Sequence, residues 1–136
     1  MRVADVMTAA PLTTAPNALA GDAAEILRTS SIRHLPVVEG GVLVGMLSDR
    51  DVRGLVAPRN LDADGLALLR AQFASPVSEL MAVDPVTVHP EMDLSECIDA
   101  MREHEVGALP VVEASAGRLA GSVSYVDLLR AFRDTP

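Results

Sequence analysis

Apolar residues change their spacing several times along this chain, and they do so twice in the same order. Pro11-Leu12-Thr13-Thr14 reads as a short extended segment held between Pro11 and Pro16. Ala20, Ala23, Ala24 and Leu27 then recur at helical spacing. Leu35-Pro36-Val37-Val38 is an apolar strand, and Gly40-Gly41 is a two-residue turn suited to a tight hairpin, where both central residues need positive φ. Val42-Leu43-Val44-Gly45-Met46-Leu47 returns as a near-continuous apolar run, the pattern of a strand covered on both faces. A second helix is expected over residues 49–57. The order is strand, helix, strand, strand, helix.

The later half repeats it. Leu94, Cys97, Ile98 and Met101 carry the helical spacing, Leu109-Pro110-Val111-Val112 the strand, and Ala114-Ser115-Ala116-Gly117 a longer turn. The last helix is expected over residues 125–133. A shift of 74 places Met7 on Met81, Pro11 on Pro85, Thr13 on Thr87 and Arg28 on Arg102. It also places Leu35-Pro36-Val37-Val38-Glu39 on Leu109-Pro110-Val111-Val112-Glu113. A shift of 76 then aligns Gly45, Ser48 and Asp51 with Gly121, Ser124 and Asp127. Self-similarity at this density predicts two copies of one unit, over residues 1–57 and 77–136. The linker, 58–76, breaks at Pro58-Arg59-Asn60 and then carries Leu61, Leu66, Leu69 and Phe73 near helical spacing, so a linker helix is expected over 61–73. In the second copy Asp93 with Glu96 makes a capping box. The first has Leu19 at that position and Gly21 in the first turn, which predicts a frayed or shifted helix start.

Composition narrows the function. The chain has 136 residues, 49% of them hydrophobic, enough to bury a core without staples. Only 2% are aromatic, so Ala, Val, Leu, Ile and Met must fill that core. A net charge of −8 argues against nucleic acid or an anionic membrane as partner. The eleven basic residues are all Arg, which excludes a Schiff-base lysine and a P-loop lysine. One Cys makes no internal disulfide and suits a reducing compartment. No apolar run approaches 18 residues, and Met1-Arg2-Val3-Ala4-Asp5 does not open a signal peptide, so a cytoplasmic location is expected.

The succession Val-Met-Thr-x-x-Pro, helix, His-Leu-Pro-Val-Val and Gly-x-x-Ser-x-x-Asp over residues 3–57, followed over 77–133 by the same order with Leu80-Met81-Ala82-x-x-Pro85, Ala108-Leu109-Pro110-Val111-Val112 and Gly-x-x-Ser-x-x-Asp, resembles the cystathionine-beta-synthase (CBS) domain. Two in tandem resemble a CBS pair, or Bateman module. The resemblance implies an α/β (α+β) fold of two β-α-β-β-α repeats packed through their sheets about a pseudo-twofold axis. It implies clefts between the repeats that take adenosine compounds such as AMP, ADP, ATP or S-adenosylmethionine. It also implies a homodimer, a regulatory role without catalysis, and a regulated protein partner; the alternative is a constitutive dimerisation or protein-docking module with non-functional clefts.

Ser48 and Asp51, with Ser124 and Asp127, are the residues of interest. A carboxylate suits the adjacent 2′ and 3′ hydroxyls of a ribose, and a helix start with a Ser hydroxyl suits phosphate. The same spacing is a capping pattern with Asp in place of Glu, so capping alone also accounts for it. Arg33, His34, Arg50 and Arg53 flank the first motif, and Arg is suited to bidentate phosphate contact, although solvated surface explains these arginines too. The second copy reads Gly107, Ala108 and Tyr125 against Arg33, His34 and Arg50. The first motif is therefore expected to take the phosphorylated ligand; the second would be empty or hold a less charged group, with Tyr125 stacking on a base. The resemblance places Thr13 and Thr87 beside the ligand and makes Leu35, Pro36, Leu109 and Pro110 an apolar wall; strand and core roles fit them equally. His34, His89 and His104 lie far apart in sequence with no Cys partner, so no metal site is expected. Cys97 falls at an apolar helical position and reads as a buried thiol. Neither an acid/base pair nor a triad is present to support an enzyme.

Overall fold

The computed structural model describes residues 1–53 and 62–134. Contacts divide these into two compact units. The first, Thr13–Glu39 with Val44–Val83, holds the Ser48/Asp51 motif. The second, Met1–Leu12, Gly40–Leu43 and the chain from Asp84 onward, holds Ser124/Asp127.

In the first unit, helix α2 (Ala20–Thr29) packs against strand β2 (His34–Glu39), whose neighbour in the sheet is β3 (Val42–Ser48). Helix α3 (Asp49–Arg53) follows without a loop; the expected continuation to Ala57, the break at Pro58-Arg59-Asn60 and the start at Leu61 lie outside the described residues. The linker helix is present as α4 (Ala63–Phe73), capped by the Asp62 carboxylate, which accepts from the Gly65 amide at 2.8 Å. A 3-10 turn (Val77–Glu79) then leads into β4 (Ala82–Val83), which pairs antiparallel with β3. The sheet order is β2-β3-β4, over a core of Ala23, Leu27, Leu35, Val37, Leu47 and Val77.

The second unit is built alike. A short helix α1 (Val3–Val6) leads into β1 (Thr8–Ala9), and α5 (Leu94–His104), β5 (Ala108–Val112), β6 (Leu119–Ser124) and α6 (Tyr125–Asp134) complete it. Its sheet order is β1-β6-β5. The core contains Val3, Val88, Leu94, Cys97, Met101, Leu109, Val111, Val123 and Leu128. Full burial of one such side chain contributes about 1.5–3 kcal/mol.

Each unit is thus closed by a lead-in that precedes the other copy in sequence. Val3 and Ala4 donate backbone bonds to Met92 and Pro90, and Val77 and Ser78 donate the equivalent bonds to Ala18 and Pro16. The register matches: Thr8 lies opposite Ser122 in one sheet, and Ala82 opposite Met46 in the other. The alternation of apolar residues did not predict β1, β4 or α1, because two-residue strands carry no period. Conversely, the extended segments at Thr13-Thr14 and Thr87-Val88 are single parallel bridges, Thr14 to Val37 and Val88 to Val111.

The lead-ins also explain the glycine that opens each motif. A Cβ on Gly45 would sit 2.5 Å from Met81 Sδ and 2.9 Å from the Ala82 carbonyl oxygen. A Cβ on Gly121 would sit 2.7 Å from the Thr8 carbonyl oxygen and 2.8 Å from Met7 Sδ. The hairpin glycines, Gly40 at φ 60° and Gly41 at φ 81°, are left-handed as expected.

Two expectations for helix starts need correction. Helix α2 is not shifted at its start. It begins at Ala20, the counterpart of Leu94, and the Ala20 amide donates to the Ser75 carbonyl at 2.8 Å in place of a side-chain cap. Gly21 is small because Phe73 passes it: an added Cβ would meet Phe73 Cβ at 3.1 Å. In α5 the Asp93 carboxylate accepts from the Ser95 amide and hydroxyl, both at 2.9 Å, so the cap is one-sided and Glu96 closes no box.

Candidate functional site

The first motif joins β3 to α3. The Ser48 amide donates to Asp51 Oδ2 at 2.8 Å, and the Asp51 amide donates to Ser48 Oγ at 3.1 Å. The capping box that the spacing allows is therefore formed. It leaves one acceptor over: among the described residues nothing bonds Asp51 Oδ1, and the side chain is partly exposed. The Arg33 carbonyl accepts from the Asp49 amide at 2.8 Å, which fixes Arg33 and His34 beside the motif. Arg33 and Arg50 are exposed and, among the described residues, have no charged partner. Arg53 instead pairs with Asp49 at 3.2 Å. His34 is half-buried; desolvation lowers its pKa below the usual value, Asp51 raises it, Arg33 lowers it further and Asp49 opposes. The half-buried imidazole thus stands near the Asp51 carboxylate and the Arg33 guanidinium.

The second motif has the same frame with different surroundings. The Ser124 amide donates to Asp127 Oδ2 at 2.9 Å, its hydroxyl to the same oxygen at 3.1 Å, and the Asp127 amide lies 3.3 Å from Ser124 Oγ. The Thr8 hydroxyl donates to Asp127 Oδ1 at 3.2 Å, and Arg130 Nη1 lies 3.7 Å from that oxygen. Asp127 is 9% exposed. The carboxylate is tied on both oxygens. Thr8, 119 residues away, escaped sequence reasoning because no local pattern signals so distant a partner.

One correspondence drawn from the sequence is wrong by one residue. The Tyr125 amide donates to the Gly107 carbonyl at 3.1 Å, as Asp49 does to Arg33, so Tyr125 is the counterpart of Asp49 and Val126 that of Arg50. Tyr125 is 47% exposed on the first turn of α6.

The remaining candidates divide by burial. Leu35, Pro36, Leu109 and Pro110 are at most 2% exposed, with Leu35 and Leu109 in the two cores, and Ala108 is 6% exposed. Thr13 and Thr87 are half-buried and precede the residues that make the parallel bridges. Cys97 is fully buried, and its pKa is raised by desolvation. Among the described residues no cluster of His, Cys, Asp and Glu could hold a metal ion. No helix among them is long and apolar enough to cross a membrane.

These two motif-bearing units, each a three-stranded sheet with helices, define a tandem-repeat protein of CBS type. The CBS domain model matches residues 3–58 and 77–134, and the chain belongs to that family. It is 33% identical over 126 residues to the CBS domain-containing protein YhcV of Bacillus subtilis, covering 93% of this chain and 81% of that protein. Among solved structures it is similar to CBSX2, a CBS-pair protein of Arabidopsis thaliana, in complex with AMP. There the TM-score is 0.81 at 28% identity, over 97% of this chain and 96% of the other. It is also similar to the CBS domain pair of MJ0100 in complex with 5′-methylthioadenosine and S-adenosylmethionine. That TM-score is 0.77 at 26% identity, over 98% and 96% of the two chains.

Proposed function

We propose that this protein is a regulatory sensor that binds an adenosine-type ligand, AMP, ADP, ATP or S-adenosylmethionine, beside Ser48 and Asp51. The observation that carries the reading is the state of Asp51: one carboxylate oxygen holds the Ser48 amide, and the other has no partner among the described residues. A ribose diol needs such an acceptor. Arg33 and Arg50, exposed and without a charged partner among the described residues, supply charge for a phosphate or carboxylate. The ligands bound by CBSX2 and the MJ0100 pair support the same class. The role is regulatory and not catalytic: binding shifts an equilibrium between states by its differential affinity, and a protein partner reads the shift. The net charge of −8 and the single buried thiol support a cytoplasmic protein without nucleic-acid or membrane partners.

The test is thermal stability with each of the four ligands, for the wild type and Asp51→Ala. A ligand at 100 times its Kd stabilises by about 2.7 kcal/mol. Stabilisation of the wild type that Asp51→Ala loses is the expected result. Equal shifts in both proteins, or no shift with any ligand, would defeat the reading.

A second reading has its own observation. On α6, Val126, Leu129 and Phe132 are 59%, 68% and 54% exposed and recur every three residues, so they form one apolar stripe. We propose that a second copy of this chain covers it, making a homodimer, as the family resemblance implies.

A further inference from the structure

We infer that Thr8 decides which of the two motifs can take a ligand. The inference rests on the adenosine reading above and concerns occupancy of its sites. The two motifs are alike in sequence and in their Ser–Asp bonds, yet their carboxylates are not equally available. Asp127 accepts from Ser124 on Oδ2 and from Thr8 on Oδ1, with Arg130 close by and little exposed surface. Asp51 keeps Oδ1 without a partner among the described residues.

The difference originates in the lead-in strands. Thr8 in β1 lies opposite Ser122, and Ala82 in β4 lies opposite Met46; residues 46 and 122 are counterparts at the shift of 76. Residues 8 and 82 therefore occupy one register position in two equivalent sheets. At one the side chain ends in a hydroxyl that reaches the motif carboxylate at 3.2 Å, and at the other it is a methyl group with no donor. A ribose donating two hydroxyls finds a free acceptor at Asp51. At Asp127 it competes with the part-buried Thr8 bond on a carboxylate that is only 9% exposed, and a lost hydrogen bond to a charged group weakens binding about tenfold. That handicap predicts occupancy of one motif out of two.

Calorimetric titration with AMP, or with S-adenosylmethionine where AMP gives no heat, counts the sites. The wild type should bind one ligand per chain. Thr8→Ala should bind two, and Thr8→Ser, which keeps the hydroxyl, should return to one. Ala82→Thr installs the missing donor beside Asp51 and should weaken the remaining site about tenfold. Two equal sites in the wild type overturn the inference. So does one site in Thr8→Ala together with unchanged affinity in Ala82→Thr. No binding by the wild type or by Thr8→Ala is a different outcome: it removes the adenosine reading itself, and the inference with it.

Discussion

Gly121→Ala adds a single methyl group at a point where the structure leaves no room. The new Cβ would lie 2.7 Å from the Thr8 carbonyl oxygen, 2.8 Å from Met7 Sδ and 3.3 Å from Met7 Cγ. The methionine can rotate away. The carbonyl cannot, because β1 is paired to β6 through Thr8–Ser122 and Ala9–Gly121. Relief requires β1 to move, which disturbs the ladder, the Thr8–Asp127 bond and the burial of Val3. Overpacking of this kind costs about 1–3 kcal/mol, and the fixed carbonyl places this case at the upper end. For a chain of this size each kcal/mol lowers Tm by about 4 °C, so a drop of about 8–12 °C is expected. Gly40→Ala is the comparison: Gly40 has φ 60° but nothing within 4 Å of its added Cβ, so it bears only the left-handed strain of about 1–2 kcal/mol. The assay is a thermal melt of both variants and of the Met7→Ala/Gly121→Ala pair. Met7→Ala should restore little, because the carbonyl contact remains. A Gly121→Ala protein as stable as the wild type, or full rescue by Met7→Ala, would refute the close approach of β1 to β6.

His34 makes stability depend on pH. Unfolded, it takes a proton near its ordinary pKa of about 6.5; folded, burial holds that pKa lower. Between the two values the unfolded chain binds more protons, so stability falls as pH drops through that window and levels off below it. Melts of the wild type and His34→Gln from pH 7.5 to 5 should differ in slope, the variant being flatter. Leu129→Asp places a charge in the exposed stripe of α6. Analytical ultracentrifugation should find the wild type as a dimer and this variant as a monomer with little change in its own fold, since Leu129 is 68% exposed.

Most of each unit is legible from the sequence, because the elements that form it are long enough to carry a period. The hairpin at Gly40-Gly41, the buried strands β2 and β5 and the helices α2 and α5 follow from local spacing. The Ser48–Asp51 and Ser124–Asp127 boxes are local too, three residues apart. What local spacing cannot express is pairing at long range. The lead-ins at Thr8–Ala9 and Ala82–Val83 are two residues each, and nothing in their alternation says which motif glycine they cover. The Thr8–Asp127 bond lies beyond local reasoning for the same reason, and with it the inequality of the two motifs. The misassignment of Tyr125 has a simpler cause: the shift of 76 that aligns Ser48 with Ser124 already puts Tyr125 on Asp49, and the Gly107–Tyr125 bond agrees with it.

The exchange of lead-ins has a consequence for synthesis. The first unit has all its residues once Val83 leaves the ribosome. The second must wait for β6, although its lead-in precedes the whole first unit in sequence. At about 5–20 residues per second, Val3, Val6 and Met7 stay uncovered for on the order of ten seconds before Gly121 and Val123 arrive. Of the two lead-ins, the one made earlier is the one seated later, and over that interval its apolar residues lack the sheet that covers them.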